Sequence, residues 1–298
     1  MSEKPTMTLP SPAKINLMLA VTGVRADGFH DLVSLVAPLA WGDRITVSLD
    51  GAYTVDRLRC NHPEVPVDGS NLVLRAVDAL RAIHPFDAGV SIELEKNIPV
   101  GAGLGGGSGN AATTLLALNR LLGEPLGMSE LEACAASVGS DCPLFLYEAP
   151  MVMRGRGERL SPLPEAARAW LRGRPVAVFR PDFGIATVWA YQRFREAGGQ
   201  HYLPSGEAEA RLAAWLDSPS EKTLPLYNNF EAVTFDKYLA LPAMLQGVSE
   251  RFGIAPRMSG SGSACFALLP EHFDPEALEA MVRRGWGEAA LFVITHIR

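Results

Sequence analysis

The chain has 298 residues, 48% hydrophobic and 20% charged, which is enough for two domains that each bury a core. A formal net charge of -6 excludes a nucleic-acid backbone as the main partner, since that partner requires a basic face. Four widely spaced cysteines, with no C-x-x-C pair, exclude a zinc ribbon or a disulfide framework and read as reduced, mostly buried thiols.

At the N-terminus, "MSEKPTMTLPSPAKINLMLAV" lacks the charged head, apolar core and cleavage site of a signal peptide, and no apolar run reaches the roughly 18 residues of a membrane span. A soluble, cytoplasmic protein without a membrane partner is expected. "AKINLMLAV" and "DRITVSLDG" read as strands, separated by a segment that opens on the Asp27-Gly28 turn signal. The spacing of Val73, Val77 and Leu80 predicts a helix capped by Ser70 and stopped by Pro85. "GVSIELE" alternates, with Val90, Ile92 and Leu94 on one face, and predicts a half-exposed strand, antiparallel rather than parallel.

Next comes "NIPVGAGLGGGSGNAATTLLALNRLL", with six glycines between Gly101 and Gly109 and an Ala/Leu-rich helix expected from about Asn110 to Leu122. A second helix is expected to start with Ser129 as cap and Glu132 as its capping-box partner, and to run to Gly139. "SDCPLFLY" should then leave that helix for a strand, with Asp141 at the corner. Arginine, glycine and proline cluster over residues 154 to 175, the candidate boundary. Beyond it, "PVAVFRP", "ACFALLP" and "AALFVITHI" read as strands and "TVWAYQRFREAG" and "EAEARLAAWLDS" as helices, an α/β unit with helices on one side of a sheet.

Three stretches carry chemistry. Gly101, Gly103 and Gly106 satisfy G-x-G-x-x-G, but the strand before them is amphipathic and no ribose-binding acid follows, which argues against a dinucleotide fold. No lysine follows the glycines, so this is not a Walker A loop. What survives is an anion cradle: glycines bring backbone N–H groups close to a phosphate, and the following helix offers its unpaired N–H groups and positive dipole end. A mobile surface loop would not abut so strong a helix pattern. In "SPAKINLML", Lys14 and Asn16 interrupt an apolar strand, and a lysine there needs a carboxylate or phosphate nearby. "RMSGSGSACFALL" places a serine/glycine turn, Ser259, Gly260 and Ser261, before an apolar strand, where it can close over a substrate or phosphate.

Taken in order, "SPAKINLML", "IPVGAGLGGGSGNAA" and "MSGSGSACF" resemble the three motifs of the GHMP kinase superfamily. "TGVRADGFHDL", "VGSDCPLF" and "NNFEAVTF" are most similar to the branch acting on a cytidyl diphosphate alcohol of the non-mevalonate isoprenoid pathway. The resemblance implies a two-domain α/β (α+β) fold. Residues 1–160 would form an ATP-binding, catalytic domain with a left-handed β-α-β unit, residues 161–298 a ferredoxin-like domain, with the active site in the cleft between them. It also implies an ATP- and Mg²⁺-dependent kinase that converts a 2-hydroxyl to a 2-phosphate on a small cytidyl diphosphate substrate, as a monomer or weak homodimer.

Carried over by the same resemblance, Asp141 is the base and Lys14 stabilises the developing charge. Pro99, Val100, Gly101, Ala102, Gly103, Leu104, Gly105, Gly106, Gly107, Ser108 and Gly109 cradle the phosphates, and Ser108 holds Mg²⁺ directly or through water. Asn71 and Lys96 lie near the nucleotide. Phe29 and Tyr191 stack on the cytosine while His30 reads its edge. Asn16, Asn110 and Thr187 contact or order the diphosphate region. Two departures from the superfamily pattern stand out: Ser108-Gly109 replaces a common pair of serines, and Phe29 a frequent tyrosine. The rival readings are a GHMP kinase for another alcohol and a non-catalytic nucleotide sensor, which should lack Lys14 or Asp141.

Overall fold

The computed structural model describes residues 4–51 and 54–298. The chain divides into two compact units, neither of them a single stretch. Unit one gathers Met1–Ala13, Trp41–Val100 and Gly105–Glu148, and unit two gathers Lys14–Ala40, Gly101–Leu104 and Ala149–Arg298. Strands β1 (Thr6–Val24) and β2 (His30–Asp50) therefore contribute to both. Each is far longer than the segment recognisable in the sequence, because the glycine and polar positions within them do not interrupt the extended backbone.

In unit one, β3 (Arg57–Cys60) pairs parallel with β4 (Gly89–Glu95), and β4 pairs antiparallel with the end of β2 from Arg44↔Glu95 to Asp50↔Gly89. The predicted alternation holds: Val90, Ile92 and Leu94 are buried while Ser91, Glu93 and Glu95 are exposed. Parallel and antiparallel neighbours coexist on the two edges of β4. Helix α1 (Leu72–Ile83) buries Val73, Val77 and Leu80, each contributing about 1.5–3 kcal/mol of apolar burial. Its cap is Asn71 rather than Ser70: the Asn71 Oδ1 accepts from Val73 N at 2.9 Å, while Ser70 turns back to Asp68. Helix α2 (Gly106–Leu121) starts four residues before the predicted Asn110, because Gly105, at φ 72°, supplies a left-handed residue ahead of the first turn. Being apolar nearly all round, α2 is buried against α1 and α3 (Met128–Val138).

Helix α3 also starts earlier than expected. Glu130 reaches back to Gly127 N at 2.9 Å, and Glu132 is spent on the Tyr147 hydroxyl instead of a capping box. After Asp141 the chain forms a 3-10 turn at Pro143–Leu146 rather than a strand, its proline fixing the first position.

In unit two, β2 pairs antiparallel with β5 (Met151–Gly155) and β5 with β6 (Arg159–Pro162), so the arginine-rich stretch is folded, ending in α4 (Glu165–Leu171). Then come β7 (Pro175–Arg180), α5 (Thr187–Glu196), α6 (Ser205–Asp217), β8 (Tyr227–Asn228), which pairs parallel with β1, and α7 (Phe230–Thr234). Helix α8 (Ala240–Phe252), β9 (Arg257–Met258), β10 (Cys265–Leu268), α9 (Pro275–Trp286) and β11 (Leu291–His296) complete the chain. The antiparallel sheet runs β11-β7-β10-β9. Read as β7-α8-β9-β10-α9-β11, that order is the split β-α-β arrangement of a ferredoxin-like domain. Among the described residues no helix is long and apolar enough to cross a membrane.

Candidate active site

Unit one contributes the anion cradle and Asp141. The first intrahelical bond of α2 runs from Gly109 N to Gly105 O, so the N–H groups of Gly106, Gly107 and Ser108 precede the ladder and point out of the helix end. A Cβ on Gly106 would lie 2.8 Å from Lys96 Nζ and 3.1 Å from Ile98 Cγ2, so any larger residue would have to move the tip of that lysine. A Cβ on Gly109 would lie 3.1 Å from Pro12 O and 3.3 Å from the Phe145 ring. A second serine at this position would press on both neighbours. Ser108 is half-buried and acts to lower the Cys142 pKa. Burial and the neighbouring Asp141 carboxylate nonetheless push the Cys142 thiol up to about 12, so it stays protonated. Asp141 itself is half-buried in the turn that follows α3.

The remaining predicted residues of unit one divide by exposure. Val100 is exposed and Pro99 half-buried ahead of the glycines. Asn71, besides capping α1, donates to Pro66 O at 2.6 Å. The Lys96 side chain and Asn110 are buried and bonded to Asp43, a residue the sequence reading passed over as part of a strand.

Unit two holds Lys14. Its side chain is buried in β1, and Nζ donates to Asn16 Oδ1 at 2.6 Å and to Gly103 O at 2.6 Å. These two bonds hold an ammonium against the glycine segment. The same segment is stitched in place: Lys14 N donates to Leu104 O, Ala264 N to Ala102 O, and Ser259 Oγ to Gly103 O, all at 3.0 Å. Gly103 has φ 78°, and a Cβ there would collide with Ser259 O at 2.1 Å. Gly101 needs its glycine only for φ 64°, having open space around it. A Cβ on Gly260, at φ 59°, would lie 2.9 Å from Gly103 O. Thr187 at the start of α5 meets the Ser261 hydroxyl at 2.9 Å.

Asn16 also donates to Ser34 Oγ at 2.9 Å. His30 opens β2, and its ring lies 4.8 Å from Tyr191, tilted by 31°. Its Nε2 is 3.1 Å from the Tyr202 hydroxyl. Burial, and then the Arg195 charge, pull the His30 pKa below the ordinary histidine range, so the ring is neutral and keeps one donor and one acceptor. Phe29, in contrast, is 52% exposed, with the Arg156 guanidinium 4.8 Å over its ring.

Sequence reasoning missed Asp43, Tyr202 and the role of Asn228. Asn228 Nδ2 donates to Met258 O at 2.7 Å and Gly260 O at 2.8 Å, which fixes the Ser259–Ser261 turn. Only the Asn228-Asn229 pair carried a signal, and it reads as a turn. Among the described residues no three His, Cys, Asp or Glu side chains gather as a metal cage.

Residues 71–149 match the GHMP kinases N terminal domain and residues 211–288 the GHMP kinases C terminal domain. A 4-diphosphocytidyl-2-C-methyl-D-erythritol kinase of Methylacidiphilum infernorum is 36% identical over 92% of this chain and 90% of its own. One from Gloeobacter violaceus is 37% identical, covering 93% and 90%. The crystal structure of a 4-(cytidine 5'-diphospho)-2C-methyl-D-erythritol kinase superposes with a TM-score of 0.75 at 35% identity, covering 97% of this chain and 99% of that one. With both GHMP domains present and this identity sustained over nearly the whole length, the chain is a small-molecule kinase with the two-domain GHMP fold and belongs to the 4-diphosphocytidyl-2-C-methyl-D-erythritol kinase family.

Proposed function

We propose that the chain transfers the γ-phosphoryl group of ATP to the 2-hydroxyl of 4-diphosphocytidyl-2-C-methyl-D-erythritol, giving the 2-phosphate and ADP in the non-mevalonate route to isoprenoid precursors. The observation that carries the reading is the Lys14 ammonium, buried in β1 and donating to Gly103 O at 2.6 Å, which sets a cation at the glycine segment. In this reading residues 1–160 bind ATP and carry the catalytic base, and residues 161–298 form the C-terminal part.

The 2-hydroxyl oxygen attacks the γ-phosphorus, the bond from γ-phosphorus to the bridging oxygen of ADP breaks, and Asp141 takes the hydroxyl proton. Lys14 opposes the negative charge that grows on the attacking oxygen and the γ-phosphoryl group. N–H groups of the glycine segment and of the first turn of α2 receive the phosphates. Mg²⁺, when bound with ATP, neutralises phosphate charge, and Ser108 is the residue that would hold it. Neutral His30, with Tyr191 beside it and Phe29 exposed nearby in sequence, reads and stacks the cytosine. Asn16, Thr187 and the Ser259–Ser261 turn order the diphosphate.

The test is ATP consumption by the purified protein with Mg²⁺ and the cytidyl alcohol, in parallel with mevalonate, homoserine and galactose, and with Asp141→Asn as control. Turnover confined to the cytidyl substrate and lost in the variant is expected. Turnover with another alcohol alone would overturn the assignment of Phe29, His30 and Tyr191.

A further inference from the structure

Asp43 lies on β2 within unit one with its side chain fully buried, and the mechanism above does not use it. Its Oδ1 accepts from the backbone N–H of Asn97 at 2.6 Å and of Ile98 at 2.7 Å. Its Oδ2 accepts from Lys96 Nζ at 2.5 Å and Asn110 Nδ2 at 2.9 Å. Four donors, one of them cationic, satisfy the buried carboxylate, as such a group requires. The donors come from two places. Lys96, Asn97 and Ile98 lead into the glycine-rich segment, and Asn110 sits on α2 just after it.

Lys96 is therefore committed: its side chain is 6% exposed, and Nζ also donates to Ile98 O at 2.8 Å. Burial lowers its pKa while Asp43 raises it, and the ion pair keeps the ammonium inside the fold. Asn110 is committed as well, donating also to Ser11 Oγ at 2.9 Å.

We propose that Asp43 is a positioning residue for the nucleotide site. It clasps the strand exit at Lys96–Ile98 to α2 at Asn110, and so sets the spacing between the two ends of the segment that receives the ATP phosphates. Lys96 and Asn110 then act on the nucleotide through Asp43. The inference rests on the reading of that segment as the phosphate cradle. A cradle made of backbone N–H groups has no side chain to readjust, so an error in the spacing of its ends displaces its donors together.

Asp43→Asn retains the shape but presents an amide to Lys96 and Asn110, both donors. Varying ATP and the cytidyl substrate separately, the KM for ATP should rise roughly tenfold to a hundredfold, with the KM for the cytidyl substrate changed by less than about twofold. Binding of a non-hydrolysable ATP analogue, measured by calorimetry, should weaken by the same factor. Asp56→Asn is the comparison: Asp56 holds Arg81 at 2.6 and 2.8 Å and Val90 N at 2.9 Å in the same unit, and its loss should lower Tm while leaving the KM for ATP unchanged.

If Asp43→Asn raises both KM values equally, or lowers Tm alone as Asp56→Asn does, the clasp is only structural and the proposal is overturned. Should Asp43→Asn fail to fold, Asn110→Ala decides. A raised KM for ATP supports the clasp, and a raised KM for the cytidyl substrate alone overturns it. Failure of the wild type to turn over the cytidyl alcohol would sink the proposed function, yet analogue binding needs no acceptor and would still test Asp43.

Discussion

Around Asp43 a buried carboxylate receives four donors from within unit one, whereas around His30 in unit two the polar atoms lie at the end of an aromatic group whose neighbour in sequence, Phe29, keeps 52% of its surface exposed. The first arrangement spends its polar groups on geometry, and the second sets a hydrogen-bonded histidine beside an aromatic ring left half exposed. In the proposed reaction the phosphate side works by fixed backbone donors and gains from rigidity. The base side must admit a ring, read it and release it. Closed networks therefore mark where a protein holds itself, and open ones where it holds something else.

The largest effect that would sharpen this comparison is on the chemistry itself. Asp141→Asn should lower kcat about 10²- to 10⁴-fold with little change in either KM, read from steady-state ATP consumption. Lys14→Met should lower kcat about 10²- to 10³-fold, and a loss confined to KM would instead make Lys14 a binding residue. Smaller effects belong to His30. Because its pKa is depressed in the folded chain, the neutral form is favoured there. Its contribution is intact above the ordinary histidine value near 6.5 and is lost as pH falls through the lowered folded value. The KM for the cytidyl substrate should be flat at neutral pH and rise only in acid. Tyr202→Phe, which removes the partner of Nε2, should raise that KM about three- to tenfold at neutral pH.

The smallest effects probe packing directly. Gly109→Ser should cost about 1–3 kcal/mol through contact with Pro12 O and Phe145, seen as a drop in Tm. Phe29→Tyr adds its hydroxyl at an exposed ring and should change stability by no more than about 0.5 kcal/mol. If Gly109→Ser were as harmless as Phe29→Tyr, the contrast between a closed and an open region would fail.

Much of this was legible beforehand because it rests on local periodicity. The alternation of Val90, Ile92 and Leu94, the spacing of Val73, Val77 and Leu80, and the glycines before α2 each announce their element within a few residues. Lys14 was legible as an anomaly, a cation inside an apolar strand. What could not be read were choices between equivalent local chemistries. Ser70 and Asn71 are both good caps, and Asp68 decides between them by taking Ser70. Glu130 and Glu132 can both reach back over a helix start, and Tyr147 removes Glu132 from the competition. Asp43 was invisible for a stronger reason: its partners lie 53 to 67 positions away, and a lone aspartate in a strand announces none of them.

The sharing of β1 and β2 between the units bears on synthesis. Unit one has all its segments once Glu148 has left the ribosome, but unit two cannot be completed until Arg298 has, although its first segment, Lys14–Ala40, is made near the beginning. From the synthesis of Ala40 until at least that of Ala149, those apolar residues must wait, held by a chaperone or by provisional partners, for strands not yet made. A break of the gene at any single point after Lys14 would therefore divide unit two, so the order in which the chain emerges is itself part of how this kinase reaches its fold.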